Sequence, residues 1–270
     1  MNRRWIFLPA VVTGWVLLVS SPQTSAGLVA TYQFQDTLAA DEAGAPALTA
    51  LNSGAFVTAT NVLGQTRTVY ERTSTNPSHD TQSALTVSVA ALGLTSNDYS
   101  VELVYDFTNG YSGPDFRRVV NANGGDPGLY VSSRTGPGNL QIDDWLGYSH
   151  TGGPPLADGT FYHLILSVTP TGEQVYINGV LALNLVGLTP NAITAANLTF
   201  FQDNAGEYGN GSVALLRIYD SALNASQVSA AWNNGDPFAA AAVPEPASLS
   251  LAAVGGLVVL VLARGRRGLG

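Results

Sequence analysis

An all-β fold, two antiparallel sheets packed as a jelly-roll sandwich with one short C-terminal helix, is predicted by three observations. Around a dozen short apolar or alternating runs follow one another at close spacing, each bounded by turn residues. The composition is rich in Gly, Thr, Ser, Asn, Val and Leu, and only 11% of residues are charged. A single late stretch, residues 224–235, has helical spacing. Many strands and one helix are the pattern of a sandwich.

The first element in the chain lies outside this fold. Arg3 and Arg4 precede a fifteen-residue apolar run from Trp5 to Val19, and small residues then lead to a cut between Ala26 and Gly27. Residues 1–26 thus read as a secretory signal peptide, and two arginines are ordinary for the general secretory route. Residues 27–238 form the predicted domain, long enough for one β-domain with a full core.

Within it, the alternation of Leu28–Phe34 opens the fold, and Asp36–Pro46 reads as loop. Residues 47–51, 55–58 and 66–71 are short strands, followed by Ala84–Val89 and the stronger Tyr99–Phe107. Phe116–Ala122 and Gly128–Ser132 flank an Asn-Gly-Gly-Asp-Pro turn, and Leu140–Asp143 is another short strand. Phe161–Val168 puts Tyr162, Leu164, Leu166 and Val168 on one face. A turn at Thr169–Gly172 leads to Gln174–Asn178. Asn178-Gly179 is a two-residue hairpin turn, since both residues tolerate positive φ, and Val180–Leu185 follows. Asn197–Gln202 and Ser212–Tyr219 complete the strands. Asn224 caps the helix and Gln227 returns the bond, Val228 and Trp232 share a face, and Gly235 closes it before Pro237.

These last pieces carry a resemblance. The opening Ala30–Phe34 strand, the aromatic-x-His strand 161–168, the Val175–Gly179 hairpin and the Arg217-Ile-Tyr-Asp-x-Ala-Leu223 strand before a short helix resemble laminin-G-like, concanavalin A-like jelly rolls of bacterial surface proteins. The resemblance spans residues 27–236 and is carried mainly by 161–234. It implies two large antiparallel sheets face to face, and adhesion or glycan binding as the job.

The C-terminal end carries another. Residues 239–243 read as an Ala-rich linker, followed by Pro244, Glu245 and Pro246. From Pro246 to Ala263 the chain is uncharged, eighteen residues that make a helix of ~27 Å, enough to cross a bilayer core. Arg264, Arg266 and Arg267 then stop transfer on the cytoplasmic side. Motif, span and arginines together resemble the PEP-CTERM sorting signal of Gram-negative bacteria; the alternative is a plain single-pass tail anchor. The resemblance implies a membrane-embedded exosortase as transient partner, cutting near Pro244–Pro246. It also implies an inner-membrane-anchored precursor, and a mature form at the cell surface or in an extracellular matrix rich in polysaccharide.

Charge and cysteine usage exclude several functions. Between residues 27 and 243 there are six arginines, eighteen carboxylates and no lysine, a formal charge of −12. An acidic domain without a basic patch does not bind nucleic acid. The chain has no cysteine, which rules out disulfides, thiol catalysis and thiolate zinc sites.

The remaining candidates for chemistry are few. Many of the domains that this one resembles have acids just ahead of the Arg-Ile-Tyr strand, and some domains of that fold bind a structural calcium at the sheet rim; here the corresponding positions are Ala214 and Leu215. Asp203, Asn204 and Glu207 in one loop, and Asp36 and Asp41 in another, supply oxygen for a hard cation or are simply solvated carboxylates. No cofactor is expected. Asp143 and Asp144 are adjacent and point to opposite faces of a strand, so they cannot form the pair of a retaining glycosidase. Glu102 and Asp106 share a face four residues apart. No glutamates stand at i, i+2, and His79, His150 and His163 lack metal spacing; His163 reads as a hydrogen-bonded structural residue. The expectation is a domain that is not an enzyme, with a glycan-cleaving hydrolase or a structural matrix protein as alternatives. Trp145, Tyr148 and His150, with Tyr111 and Phe116 nearby, either stack on a carbohydrate or cap the end of the sandwich.

Overall fold

The computed structural model describes residues 26–73, 83–95, 97–110, 116–133, 140–202, 207 and 209–239. In chain order the strands are β1 (Leu28–Tyr32), β2 (Thr49–Leu51), β3 (Gly54–Val62), β4 (Gln65–Arg72), β5 (Ala84–Ser88), β6 (Tyr99–Tyr105), β7 (Asn109–Gly110), β8 (Phe116–Asn121), β9 (Gly128–Ser132), β10 (Leu140–Trp145), β11 (Ser149–Leu156), β12 (Tyr162–Thr169), β13 (Gly172–Ile177), β14 (Val180–Val186), β15 (Asn197–Phe200) and β16 (Gly209–Tyr219). Helix α1 (Ala225–Trp232) follows. Two antiparallel sheets result, one of nine strands and one of seven, and the predicted all-β sandwich with its late helix is what the chain forms.

The nine-stranded sheet runs β14-β13-β12-β6-β16-β4-β3, with β1 and β7 also on β16. β16 is its axis. One side pairs with β6; the other is shared end to end by β4, at Gly211–Val213, and β1, at Leu216–Tyr219. Both faces of the middle of β16 are covered, Val213 and Leu216 by the main core and Ala214 and Leu215 by Val62, Val69, Val104 and Phe161, which accounts for the apolar run Val213–Leu216. The seven-stranded sheet runs β11-β10-β9-β8-β15-β5-β2.

Between the sheets, the inward residues of alternating strands make the main core. Tyr99, Val101, Leu103 and Tyr105 of β6 meet Leu129 and Val131 of β9, with Phe34, Phe107, Phe200 and Phe201 filling the ends. Each such side chain, once fully buried, contributes on the order of 2–3 kcal/mol. Phe34 and Phe201 hold this position at φ 56 and 69, a left-handed conformation that bulky residues adopt only when the surrounding packing compels it.

Two strands were not predicted, the two-residue β7 and the longer β11. Ser149–Leu156 contains Gly152, Gly153, Pro154 and Pro155, which read as loop, yet it forms β11. It is the last strand of its sheet, where a missing N–H costs no ladder bond. Its glycines also serve contact: a Cβ on Gly152 would lie 2.5 Å from the Ala182 carbonyl oxygen, and one on Gly153 2.8 Å from the Ala182 Cβ. Only bare backbone lets β11 close onto β14 of the other sheet.

The three-strand run β12-β13-β14 forms as predicted, with Asn178 and Gly179 at φ 50 and 77 in the turn. Helix α1 lies on the outer face of the nine-stranded sheet, burying Val228 and Ala231 against Ile165, Tyr176 and Tyr219. Asn224 and Gln227 make the reciprocal capping box. At the other end the prediction needs correction: the helix stops at Asn233, itself left-handed at φ 44, and Gly235 belongs to a following 3-10 turn. Asn takes that conformation at low cost, so glycine was not required. No helix among the described residues is long and apolar enough to cross a membrane.

Candidate functional site

The outer face of the seven-stranded sheet carries a hydrogen-bonded polar row, of which Arg118, Tyr130 and Asp143 are buried. Strand register aligns Arg118, Tyr130, Asp143 and Thr151 in one row across β8, β9, β10 and β11. Arg118 is buried and donates from Nε to the Val120 carbonyl at 2.8 Å, and from its two terminal nitrogens to Asp126 O at 2.9 Å and Pro127 O at 2.6 Å. Its guanidinium also lies 4.6 Å from the Tyr130 ring centre and donates to the Tyr130 hydroxyl. The Asn123–Pro127 turn is thereby tied to the sheet. Asp143 accepts from Ser132 at 2.8 Å and from Ser149. Phe116 packs edge-on against Tyr130 at 6.2 Å.

Beside this row stands the tip of the β10–β11 hairpin. Trp145 pairs with Ser149, and Leu146, Gly147 and Tyr148 make the turn, with Gly147 at φ 78. Tyr148 is 54% exposed and meets His150 edge-on at 5.0 Å, while Trp145 is half-buried. Of the aromatics singled out in the sequence, Tyr148 and His150 are in ring contact; Trp145, paired with Ser149, stands on the opposite face of the hairpin from His150, which pairs with Asp144. Phe116 packs on Tyr130, and Tyr111 lies outside the described residues.

Asp143 and Asp144 point to opposite faces. Asp144 turns inward, and there it meets Glu173 of the other sheet. Asn191 binds both, donating from Nδ2 to Asp144 Oδ1 at 3.0 Å and Glu173 Oε2 at 2.7 Å, and from its backbone N–H to Glu173 Oε1 at 2.6 Å. Asn191 is held in turn by the Tyr99 hydroxyl, which donates to its carbonyl at 2.7 Å. Burial raises both carboxyl groups, against the pull of the Asn191 hydrogen bonds; proximity of Glu173 raises Asp144 further. Asp144 lies well above the carboxylate range, and Glu173 is pushed up to about 7. Burial thus favours the protonated forms of the pair. The pair is enclosed, with Asp144 at 0% and Glu173 at 1% exposure. Sequence could not reveal it, because Asp144 and Glu173 come from strands of different sheets.

A second buried group lies on the outer face of the nine-stranded sheet. Glu102 accepts from Arg217 at 2.9 Å and from the Tyr219 hydroxyl at 2.6 Å, and its Oε1 is 3.0 Å from His163 Nε2. Burial alone would raise Glu102, but these three partners outweigh it and hold the carboxyl below its usual range. Trp232 of α1 stacks on His163 at 5.2 Å and closes the group off. Asp106, on the same chain segment as Glu102, instead accepts from the Ser212 N–H at 2.5 Å. The two carboxylates do not meet.

The other sequence candidates fall as follows. Ala214 and Leu215 are buried among Val62, Val69, Val104 and Phe161, an apolar setting in which no cation is held. Asp41 accepts from Gln33 at 2.7 Å. Among the described residues no three His, Cys, Asp or Glu side chains converge as a metal site. Ala26 is buried beside α1, and the Gly27 N–H donates to Asp220 at 2.6 Å. Asp203, Asn204, His79, Pro244, Glu245, Pro246, Arg264, Arg266 and Arg267 lie outside the described residues.

With this geometry in hand, comparison with known proteins is informative. The Laminin_G_3 sequence model, described as the concanavalin A-like lectin/glucanases superfamily, matches residues 79–229. No curated protein sequence matches. Domain 4 of AbnA, a GH43 extracellular arabinanase from Geobacillus stearothermophilus solved in complex with arabinotriose, is similar in structure. It shares 22% identity at a TM-score of 0.54, over 76% of this chain and 97% of that one. The binding domain of Paraclostridial Mosquitocidal Protein 1 shares 16% identity at a TM-score of 0.57, over 77% of this chain and 52% of that one. Botulinum neurotoxin type C, whose cell entry depends on interaction with two ganglioside molecules, shares 9% identity at a TM-score of 0.54, over 77% of this chain and 51% of that one. The chain thus spans about half the length of the two toxin chains. At these identities the likeness is one of fold.

Proposed function

Because the chain belongs to the concanavalin A-like lectin/glucanases superfamily, we propose that it is an exported, non-catalytic glycan-binding protein. Its binding surface is the hairpin tip Trp145–His150, held in place by the buried polar row of the seven-stranded sheet. The observation that carries this reading is Tyr148, an exposed ring edge-on to His150 beside half-buried Trp145. Such rings stack on the C–H face of a sugar while neighbouring polar groups take its hydroxyls. The arabinotriose and ganglioside interactions of the structurally similar proteins support the same ligand class. The enclosure of the Asp144–Glu173 pair supports binding over cleavage, because a glycosidase needs its two carboxyls open to substrate.

A glycan array probed with the intact purified chain tests this. Tyr148→Ala is expected to lower affinity about tenfold, ~1.4 kcal/mol, without moving the melting temperature. Absence of any glycan binding, or unchanged binding in a Trp145→Ala/Tyr148→Ala double variant, refutes it.

Export and sorting belong to the same proposal. A signal peptidase cuts between Ala26 and Gly27, the C-terminal span holds the precursor in the inner membrane, and an exosortase acts at Pro244–Pro246. Intact mass of the mature protein, for wild type and for Pro244→Ala/Glu245→Ala/Pro246→Ala, decides. A wild type that keeps residues up to Gly270 in the membrane would make the tail a plain anchor.

One observation favours a second reading, a matrix component whose partner is a protein. Edge strand β14 is uncharged and exposes Val180, Leu181 and Val186 to 66%, 47% and 82%. Val180→Lys/Leu181→Lys would then abolish binding to matrix preparations and leave glycan binding unchanged.

A further inference from the structure

The outer face of the nine-stranded sheet holds a cleft of about 410 Å³ that none of the above explains. It lies over β12, β13 and β14, where α1 and the Ala222–Asn224 segment leave the sheet uncovered. Strand register makes its floor a single polar row, Ser167 opposite Gln174 and Gln174 opposite Asn184. The next outward row, Ile165 and Tyr176, is already covered by the helix.

The amides in this row are held in a fixed orientation. The Tyr176 hydroxyl donates to Gln174 Oε1 at 2.8 Å, and Gln174 Nε2 donates to Asn184 Oδ1 at 3.2 Å. With its oxygen already accepting, Asn184 points its amide nitrogen outward, and one N–H of Gln174 is left over. Ser167 is buried, donating to Leu223 O at 2.9 Å and accepting from Ser100 at 3.4 Å; Thr169 donates to Gly172 O at 2.9 Å and accepts from the Thr171 N–H at 3.3 Å, which leaves one lone pair on its hydroxyl oxygen. Glu173, also on the wall, turns its carboxyl inward to Asn191. The cleft is therefore uncharged in a chain segment of net charge −12. It has no cation to hold a phosphate or carboxylate, and no outward carboxylate to hold an amine. Exposed Val186 forms an apolar lip.

We infer that this cleft is a second binding site, for a neutral polyhydroxylated ligand of one or two sugar rings. Oriented amide donors and the Thr169 hydroxyl acceptor match sugar hydroxyls, the valine lip matches a C–H face, and the volume falls in the range of ligand pockets, roughly 300–1,000 Å³. The site lies on the other sheet from the Trp145–His150 tip and shares no lining residue with it. If both sites are filled, one domain bridges two polysaccharide chains, an arrangement in which avidity exceeds either affinity.

Hydrogen–deuterium exchange of the intact chain, with and without millimolar arabinotriose, cellotriose or maltotriose, tests the inference. Protection is expected over residues 167–186 and 222–226 with at least one of the sugars. Asn184→Asp, which places a charge on the exposed floor, should weaken that protection at least tenfold in sugar concentration. Tyr148→Ala should leave it unchanged, so that failure of the hairpin site and failure of the cleft are read separately. Protection by none of the three sugars, protection confined to residues 145–150, or an Asn184→Asp response equal to wild type overturns the second site.

Discussion

Burial of the Asp144 and Glu173 carboxyls makes stability fall as pH rises through neutrality. Glu173 is raised from 4.5 to about 7 in the folded chain, first by burial, and Asp144 is raised in the same direction. A carboxyl whose folded pKa lies above its unfolded value favours folding in its protonated form. That contribution is complete below about pH 4.5 and is lost as pH passes through about 7. At about 1.4 kcal/mol per pH unit, the interval from 4.5 to about 7 amounts to about 3 kcal/mol by pH 9. For a domain of this size each kcal/mol moves Tm by roughly 2–4 °C, so the fall from pH 5 to pH 9 is roughly 6–12 °C. Differential scanning calorimetry at half-unit intervals measures it. Asp144→Asn supplies the donor that the proton supplies in wild type, lets Glu173 ionise beside it, and should flatten the profile between pH 6 and 9. A flat wild-type profile over that window, or an Asp144→Asn profile that falls as steeply as wild type, refutes the reasoning.

Three further outcomes follow from the packing. Glu102→Gln removes the carboxylate from Arg217, Tyr219 and His163, and should cost about 3–5 kcal/mol in urea denaturation by leaving Arg217 buried without its counter-charge. Because Glu102 is held below its usual range, the wild-type contribution is present above about pH 4.5 and lost as pH falls below it, giving an acid limb that Glu102→Gln lacks. Asn224→Ala removes the helix cap and should cost about 1 kcal/mol, read as lowered amide protection in α1 with the strands unchanged. Gly152→Val drives a side chain into Ala182 and Leu183, and should lower Tm and raise hydrogen exchange in β11 and β14 selectively.

Elements held by local chemistry were legible in the sequence. Asn178-Gly179 had to be a hairpin turn and Asn224-x-x-Gln227 a helix start, because each signal is complete within a few residues. β11 was not, because its prolines and glycines are loop signals everywhere except on a sheet edge, and which strand is the edge is set by the whole topology. The candidate site divides in the same way. Trp145, Tyr148 and His150 were close in the chain and remain close in space. The row Arg118–Tyr130–Asp143 depends on strand register, and the meeting of Asp144 with Glu173 depends on how two sheets stack, neither of which any short segment encodes.

The places where the chain enters and leaves the domain have a consequence for its orientation. Ala26 tucks beside α1, and at the other end Phe238 lies 3.8 Å from the Arg67 guanidinium while Asp236 is held by Gln65. Both points are on the outer side of the nine-stranded sheet. A C-terminal tether therefore leaves the domain from the outer side of the nine-stranded sheet, while the aromatic hairpin belongs to the other sheet. A tether pulled from that side loads the Phe238–Arg67 and Asp236–Gln65 contacts before it reaches any strand, so these part while the sheets keep their register.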